Sequence, residues 1–385
     1  MKSKILLVHL GFALTGVVTT MLAPILPLLA SQWHLNDAQA GRLFLVQFIV
    51  SPSGAVVAAK VLSRWGASWT VPIGMILIAG GAVTMSFGTF PLVMLGIGIY
   101  SLGLGFALPS TNLLVVELVS ERQASALNIL NFSWTLGAVL APLAISAMLQ
   151  PFGLRGFLLA VGAMVLVIGL VEAAAFPKGH VVSASTRHGK LAPSQRLAFA
   201  VVTFLFLFLY VGIENGFSGW VPTFTMRSQH LSERAANLMQ SSFWASLLIG
   251  RLTAPVFLRF LREGTFILSG LALAAVGIFT AILSPSVAML EAGVLLAAFG
   301  LAGVFPTGIA IFAEWYGTSG AGSIVFGLCG LGGALVPWLV GIVSNRTHDL
   351  RVGFVIPLAC VAVATGLYSW MSAYTRKGNA EAAAG

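Results

Sequence analysis

The sequence predicts an all-α membrane protein: twelve transmembrane helices in two pseudo-symmetric six-helix bundles. Three observations carry this. Of 385 residues, 58% are hydrophobic and only 8% charged, with a mean hydropathy of +0.97, whereas a soluble domain carries about 25% charged residues. The apolar residues fall into stretches of about 20, the length that crosses a hydrocarbon core. Landmarks of the first half recur in the second at a nearly constant offset.

The first six spans fall at roughly 5–30, 38–61, 69–87, 91–117, 124–150 and 154–176, and the second six at roughly 197–225, 234–258, 264–283, 287–314, 319–344 and 351–374. The first follows Met1–Lys2–Ser3–Lys4 and is too long for a signal-peptide core. Asn36 and Ser232 read as N-caps of the second and eighth spans. The 43 glycines suit closely packed membrane helices. Residues 177–196, with Pro177, Lys178, Arg187, Lys190 and Arg196, form the one sizeable polar linker. It divides the chain into an N-terminal bundle (1–176), a cytoplasmic linker (177–196) and a C-terminal bundle with a short tail (197–385).

The repeat is the strongest architectural signal. Pro109–Ser110 precedes Glu117 as Pro306–Thr307 precedes Glu314, 197 residues on; Leu136–Gly137 with Pro142 returns as Leu331–Gly332 with Pro337, 195 on. Pro27 matches Pro222, and Leu35–Asn36–Asp37 matches Leu231–Ser232–Glu233. A duplicated six-helix unit places a solute site between the halves near the midplane and permits alternating access.

With both termini inside, 13 Lys and Arg lie on the cytoplasmic side and six outside, with Arg251 within a span; positive charge concentrates inside. The net charge of +9 therefore reports topology, and nucleic acid is not an expected partner. Short loops point to a multi-pass protein of a bacterial inner membrane, working as a monomer. Cys329 and Cys360 lie in apolar segments and imply no disulfide framework. No phosphate-cradling loop, metal-ligand spacing or nucleophile–base set occurs outside the spans, so neither an enzyme nor a cofactor or metal site is expected.

Glu214 is the most informative single residue. It sits deep in an apolar stretch whose nearest basic neighbours in the chain are Arg196 and Arg227. An ionisable group there costs about 2.5–3.5 kcal/mol and normally faces a wet cavity or a bundle interior. Tyr210 lies one turn before it, and Asn215 and Trp220 follow. In the fifth span Asn128, Asn131 and Thr135 line one face, with Trp134 beside it; Asn131 is assigned to the cavity and Asn128 to helix contacts. Gln47, Asn112 and Gln240 each place one amide in a span, and Thr307, Phe243 and Trp244 are weaker candidates. Carboxylates and amides accept and donate to several hydroxyls, and Trp offers an apolar face to a sugar ring. His9 reads as a packed polar residue. Arg64, Glu117, Arg122, Arg251 and Glu314 lie near cytoplasmic ends and suit a gate, with Glu117 pairing with Arg64 or Arg122 and Glu314 with Arg251.

Several stretches carry a family resemblance: Tyr210–Val–Gly–Ile–Glu214 running to Gly219–Trp220, Phe243–Trp244 to Gly250–Arg251, Leu127–Asn128 through Asn131 to Gly137, and Asp37 to Gly41 with Gln47–Phe48. On these the chain resembles the major facilitator superfamily, and within it the fucose permease branch of sugar:proton symporters. The resemblance implies the major facilitator fold and membrane transport of a small solute. Fucose permease's first- and fourth-helix acids fall near Thr20 and at Leu108, which leaves Glu214 as the one membrane-centre carboxylate and the candidate proton site. Ser63 also stands where the superfamily usually has Asp. The expected function is transport of a small polar solute, foremost a monosaccharide, with or without proton coupling. The alternatives are a proton-linked exporter of lipophilic compounds and a membrane sensor that transports nothing.

Overall fold

The computed structural model describes residues 2–119, 123–176, 187–188, 193–318 and 328–384. In chain order the helices are α1 Lys2–Thr20, α2 Leu22–Gln32, α3 Asp37–Trp65, α4 Ala67–Met85, α5 Phe90–Leu118, α6 Gln123–Ala175, α7 Pro193–Ser218, α8 Val221–Gln229, α9 Glu233–Phe257, α10 Glu263–Leu283, α11 Val287–Leu301, α12 Val304–Tyr316, α13 Gly332–Thr347, α14 Leu350–Gly353 and α15 Val355–Ala384. The strands are two residues each, β1 Arg187–His188 pairing antiparallel with β2 Gly317–Thr318.

The expected all-α membrane fold is observed. Among the described residues nine helical stretches are long and apolar enough to cross a membrane. One of them, Ala126–Ala175, is two spans end to end, because Gly153 breaks α6 with φ 65° and ψ 178°. The eighth span is helical as α9 but carries Glu233, Arg234 and Arg251; the eleventh is described as α13, and 319–327 at its expected start lie outside the described residues. With these, each of the twelve expected spans has a helix among the described residues.

By internal contacts the chain forms two compact units, Met1–Ser183 with Val221–Ala245, and Ala184–Trp220 with Ser246–Gly385. This differs from a division at 177–196, because residues 221–245 associate with the first unit. Helix α8 packs on α2, and the Arg227 guanidinium meets the Asp37 carboxylate through both oxygens at 2.8 Å.

Between the two halves of the sequence the duplication reappears as matched backbone detail. His34 and His230 both take left-handed backbone just after helix ends, with φ 49° and 52°. Histidine is among the residues enriched in that conformation. Glycines permit the closest helix approaches. A methyl group added to Gly81 would abut the Tyr100 amide and lie 2.6 Å from the Gly96 carbonyl oxygen; on Gly74 it would lie 2.7 Å from the Ala107 amide. The same arrangement joins α10 to α11. There a methyl group on Gly277 would lie 2.6 Å from the Gly293 carbonyl oxygen, and one on Gly270 2.6 Å from that of Gly300. These glycines stand 196 or 197 residues after Gly81, Gly96, Gly74 and Gly103. Small residues let backbones approach and gain dispersion energy where lipid supplies no hydrophobic drive.

The cap expected at Asn36 is present. Its side chain accepts from the Gln39 amide at 2.9 Å while the Gln39 side chain accepts from the Asn36 amide at 2.9 Å, satisfying two helix-end donors reciprocally. Asn36→Ala is expected to remove about 1 kcal/mol of stability, read as a lower unfolding midpoint in detergent with solute binding unchanged.

Candidate functional site

Helix α7 places Tyr210 and Glu214 one turn apart on one face. The Tyr210 hydroxyl donates to Glu214 Oε2 at 2.7 Å and also lies 3.1 Å from the Leu301 carbonyl oxygen. Leu301 ends α11, where carbonyls lose their intrahelical partners; the break between α11 and α12 thus supplies an acceptor. The Tyr210 ring stacks on Phe305 just beyond that break, with centroids 5.2 Å apart and planes 29° apart. From α9, Arg251 Nη2 reaches to 3.7 Å from Glu214 Oε2. The Glu214 side chain keeps 11% exposure and that of Arg251 23%.

The cluster is close to charge-neutral: one carboxylate, one guanidinium and a phenol. A carboxylate accepts hydroxyl protons and a guanidinium donates several hydrogen bonds, so together they can hold a neutral polyhydroxylated solute. Arg251 is the partner the sequence reading missed, having been assigned to a gate with Glu314. Its position inside a span was the available signal, since an intramembrane charge almost always has a partner.

Some expected contact residues are engaged by the protein. Gln47 is buried between helices; its Nε2 donates to the Thr19 carbonyl at 2.7 Å and its Oε1 accepts from Tyr100 at 3.0 Å. It braces α3 against α1 and α5. Trp220 is fully buried, and its indole N–H donates to the Pro337 carbonyl at 2.9 Å, tying the α7–α8 break to α13.

The amides of Asn112, Asn131 and Asn215 each donate backward to the carbonyl four residues earlier, at 2.8, 2.9 and 2.9 Å. Their side-chain donors are thereby partly used, as polar groups in membrane helices often are. Asn131 and Asn128 are exposed, Asn112 and Asn215 half-buried and Thr307 buried. Trp134 packs edge-on against Trp244 with centroids 5.8 Å apart. Gln240 is buried, and its Oε1 has no protein hydrogen-bond partner. His9 is packed as expected, with Nδ1 2.9 Å from Ser133 Oγ.

Of the gate candidates, Arg64 is exposed and lines a surface recess with Lys60, Val61, Ser63 and Trp65. Glu314 is exposed. Arg122 and the side chain of Glu117 lie outside the described residues. A carboxylate the sequence reading passed over is Glu172, 1% exposed near the end of α6, with Oε2 lacking a protein partner. Its neighbour across the helix contact is Gly11, where a methyl group would lie 2.6 Å from Glu172 Oε1.

The Major Facilitator Superfamily model matches residues 8–264. The sodium-dependent glucose transporter 1A of Mus musculus is 23% identical, covering 89% of this chain and 90% of the relative. The glucose/mannose transporter GlcP of Bacillus subtilis (strain 168) is 22% identical, covering 91% of each. Among solved structures, a bacterial homolog of the human lysosomal transporter Spinster, inward-facing and unoccupied, superimposes with TM-score 0.79 at 15% identity, covering 98% of both chains. The transporter FucP in its outward conformation gives TM-score 0.65 at 18% identity, covering 95% of this chain and 98% of that one.

Proposed function

Since the chain belongs to the Major Facilitator Superfamily, whose model matches residues 8–264, we propose that it transports a neutral monosaccharide across a membrane by alternating access. The observation that carries this reading is the Tyr210–Glu214–Arg251 cluster, a nearly neutral group rich in donors and acceptors within membrane-spanning helices. The full-length similarity to proteins named as glucose transporters supports the same solute class.

Glu214 is the group through which coupling would act. Protonating it removes the attraction to Arg251 and frees the guanidinium for solute, so binding of a proton and of a sugar would be linked through one side chain. Cytoplasmic termini and a bacterial inner membrane complete the reading.

Export of lipophilic compounds is the second reading. It is favoured by one observation: Gln47, a candidate sugar contact, is consumed between helices. The two readings separate in vesicles of purified protein. Sugar transport predicts counterflow of labelled D-glucose or L-fucose, and coupling through Glu214 predicts uptake driven by an imposed proton gradient. Counterflow of a lipophilic cation without any sugar exchange would establish export instead. Vesicles that move neither solute would leave the sensor reading.

A further inference from the structure

The geometry points to a second hydroxyl-binding subsite, in the unit that does not contain Glu214, made by Asn237, Gln240 and Trp244 on α9. The assignment rests on the sugar reading above. Among the described residues, most buried side-chain nitrogen and oxygen atoms without a protein hydrogen-bond partner fall between Thr223 and Trp244. They are both amide atoms of Asn237, Oε1 of Gln240, Nε1 of Trp244, the hydroxyls of Thr223 and Thr225, and one oxygen of Glu233. Asn237 is 0%, Gln240 1% and Trp244 2% exposed. A buried polar atom left unpaired carries a large desolvation penalty, and native proteins keep such atoms rare. So many in one short segment are what a ligand-facing wall needs.

Their spacing is that of a face. Positions 237, 240 and 244 are i, i+3 and i+7, on one side of a helix. Ser241, beside them, donates to the Val139 carbonyl on α6 at 3.0 Å. Trp244 meets Trp134 of α6 edge-on, with centroids 5.8 Å apart. The unpaired groups therefore lie on the side of α9 that turns toward α6, and two indole rings border them. Trp134 and Gln240, read from the sequence as separate candidates, come together here, and Asn237 and Trp244 join them.

The chemistry selects the ligand class. Asn237 offers a donor and an acceptor, Gln240 an acceptor, and Trp244 a donor. None of the three is charged, and the rings add apolar surface. That combination fits a neutral polyol with adjacent hydroxyls and an apolar ring face.

The test uses the full chain in vesicles with D-glucose as probe. Asn237→Leu keeps the branching and heavy-atom count of the side chain, Gln240→Met keeps its length, and both remove the polar atoms; Trp244→Phe keeps a ring and removes the N–H. Each is expected to raise the half-saturating glucose concentration about tenfold, the effect of losing one neutral hydrogen bond to ligand, with maximal exchange within about twofold of wild type. Unfolding midpoints should stay level or rise, because an apolar group replaces an unpaired one. A risen midpoint with unchanged half-saturation in all three overturns the subsite and leaves the sugar reading standing. Single-deoxy glucoses provide a check that needs no folded variant. At least one should bind wild-type protein about tenfold more weakly than glucose, and uniform binding of all of them overturns the subsite. Wild-type vesicles that exchange no sugar overturn the sugar reading and the subsite together.

Discussion

Glu214→Gln is expected to slow D-glucose counterflow by about 100-fold or more, the loss anticipated when charge-assisted hydrogen bonds worth about 1.5–3 kcal/mol each become neutral ones. The companion substitution gives the more discriminating result. Arg251→Gln leaves the Glu214 carboxylate, 11% exposed, without its cationic partner. Breaking a buried pair from one side costs about 3–5 kcal/mol, whereas removing both charges is often close to neutral. The double substitution should therefore unfold at a higher temperature than Arg251→Gln alone, while remaining inactive. Unfolding midpoints of the four proteins in detergent form a double-mutant cycle. A double variant whose midpoint falls by the sum of the two single shifts would mean that the 3.7 Å approach carries no coupling.

The second large effect concerns assembly. Gly81→Val should prevent the first unit from forming, with the protein lost to aggregate on size-exclusion chromatography. Added carbon atoms would meet the Tyr100 amide and the Gly96 carbonyl, which are backbone atoms and cannot rotate away. The cost should exceed the ~1–3 kcal/mol usual for an overpacked side chain. Gly80→Val is the internal control: it changes the adjacent residue, where an added methyl group meets nothing within 4 Å. Gly277→Val should repeat the defect in the second unit, where Gly277 abuts the Ala297 amide. Normal elution of Gly81→Val would show that α4 and α5 can separate without loss of fold.

Much of this architecture is legible in the chain itself. Apolar runs of membrane-spanning length and the returning Pro27/Pro222 and Gly137/Gly332 landmarks specify two related six-helix sets, because lipid leaves helices as the simple way to satisfy the backbone. The association of 221–245 with the first unit was not readable, since it involves a tertiary ion pair, Asp37 with Arg227, between residues far apart in sequence. The site was legible in part. Glu214 and Tyr210 are neighbours by helical period alone, so their bond at 2.7 Å follows from spacing. Arg251 approaches from another helix, and no periodicity within α7 reports which residue of α9 it will face. For the amides, sequence gives the position of a polar group and not its partner. Gln47 found the Thr19 carbonyl and Tyr100, while Asn237 found no protein group at all.

The paired left-handed residues His34 and His230 extend the internal kinship of the halves to a single torsion angle. Mutational tolerance measured across one half should thus forecast tolerance in the other after a shift of 195 to 197 positions. Sites that break the forecast mark where the copies have taken on separate duties. Glu214 is one of them, since the same shift lands on Val17, Val18 and Thr19, none of which can carry a charge.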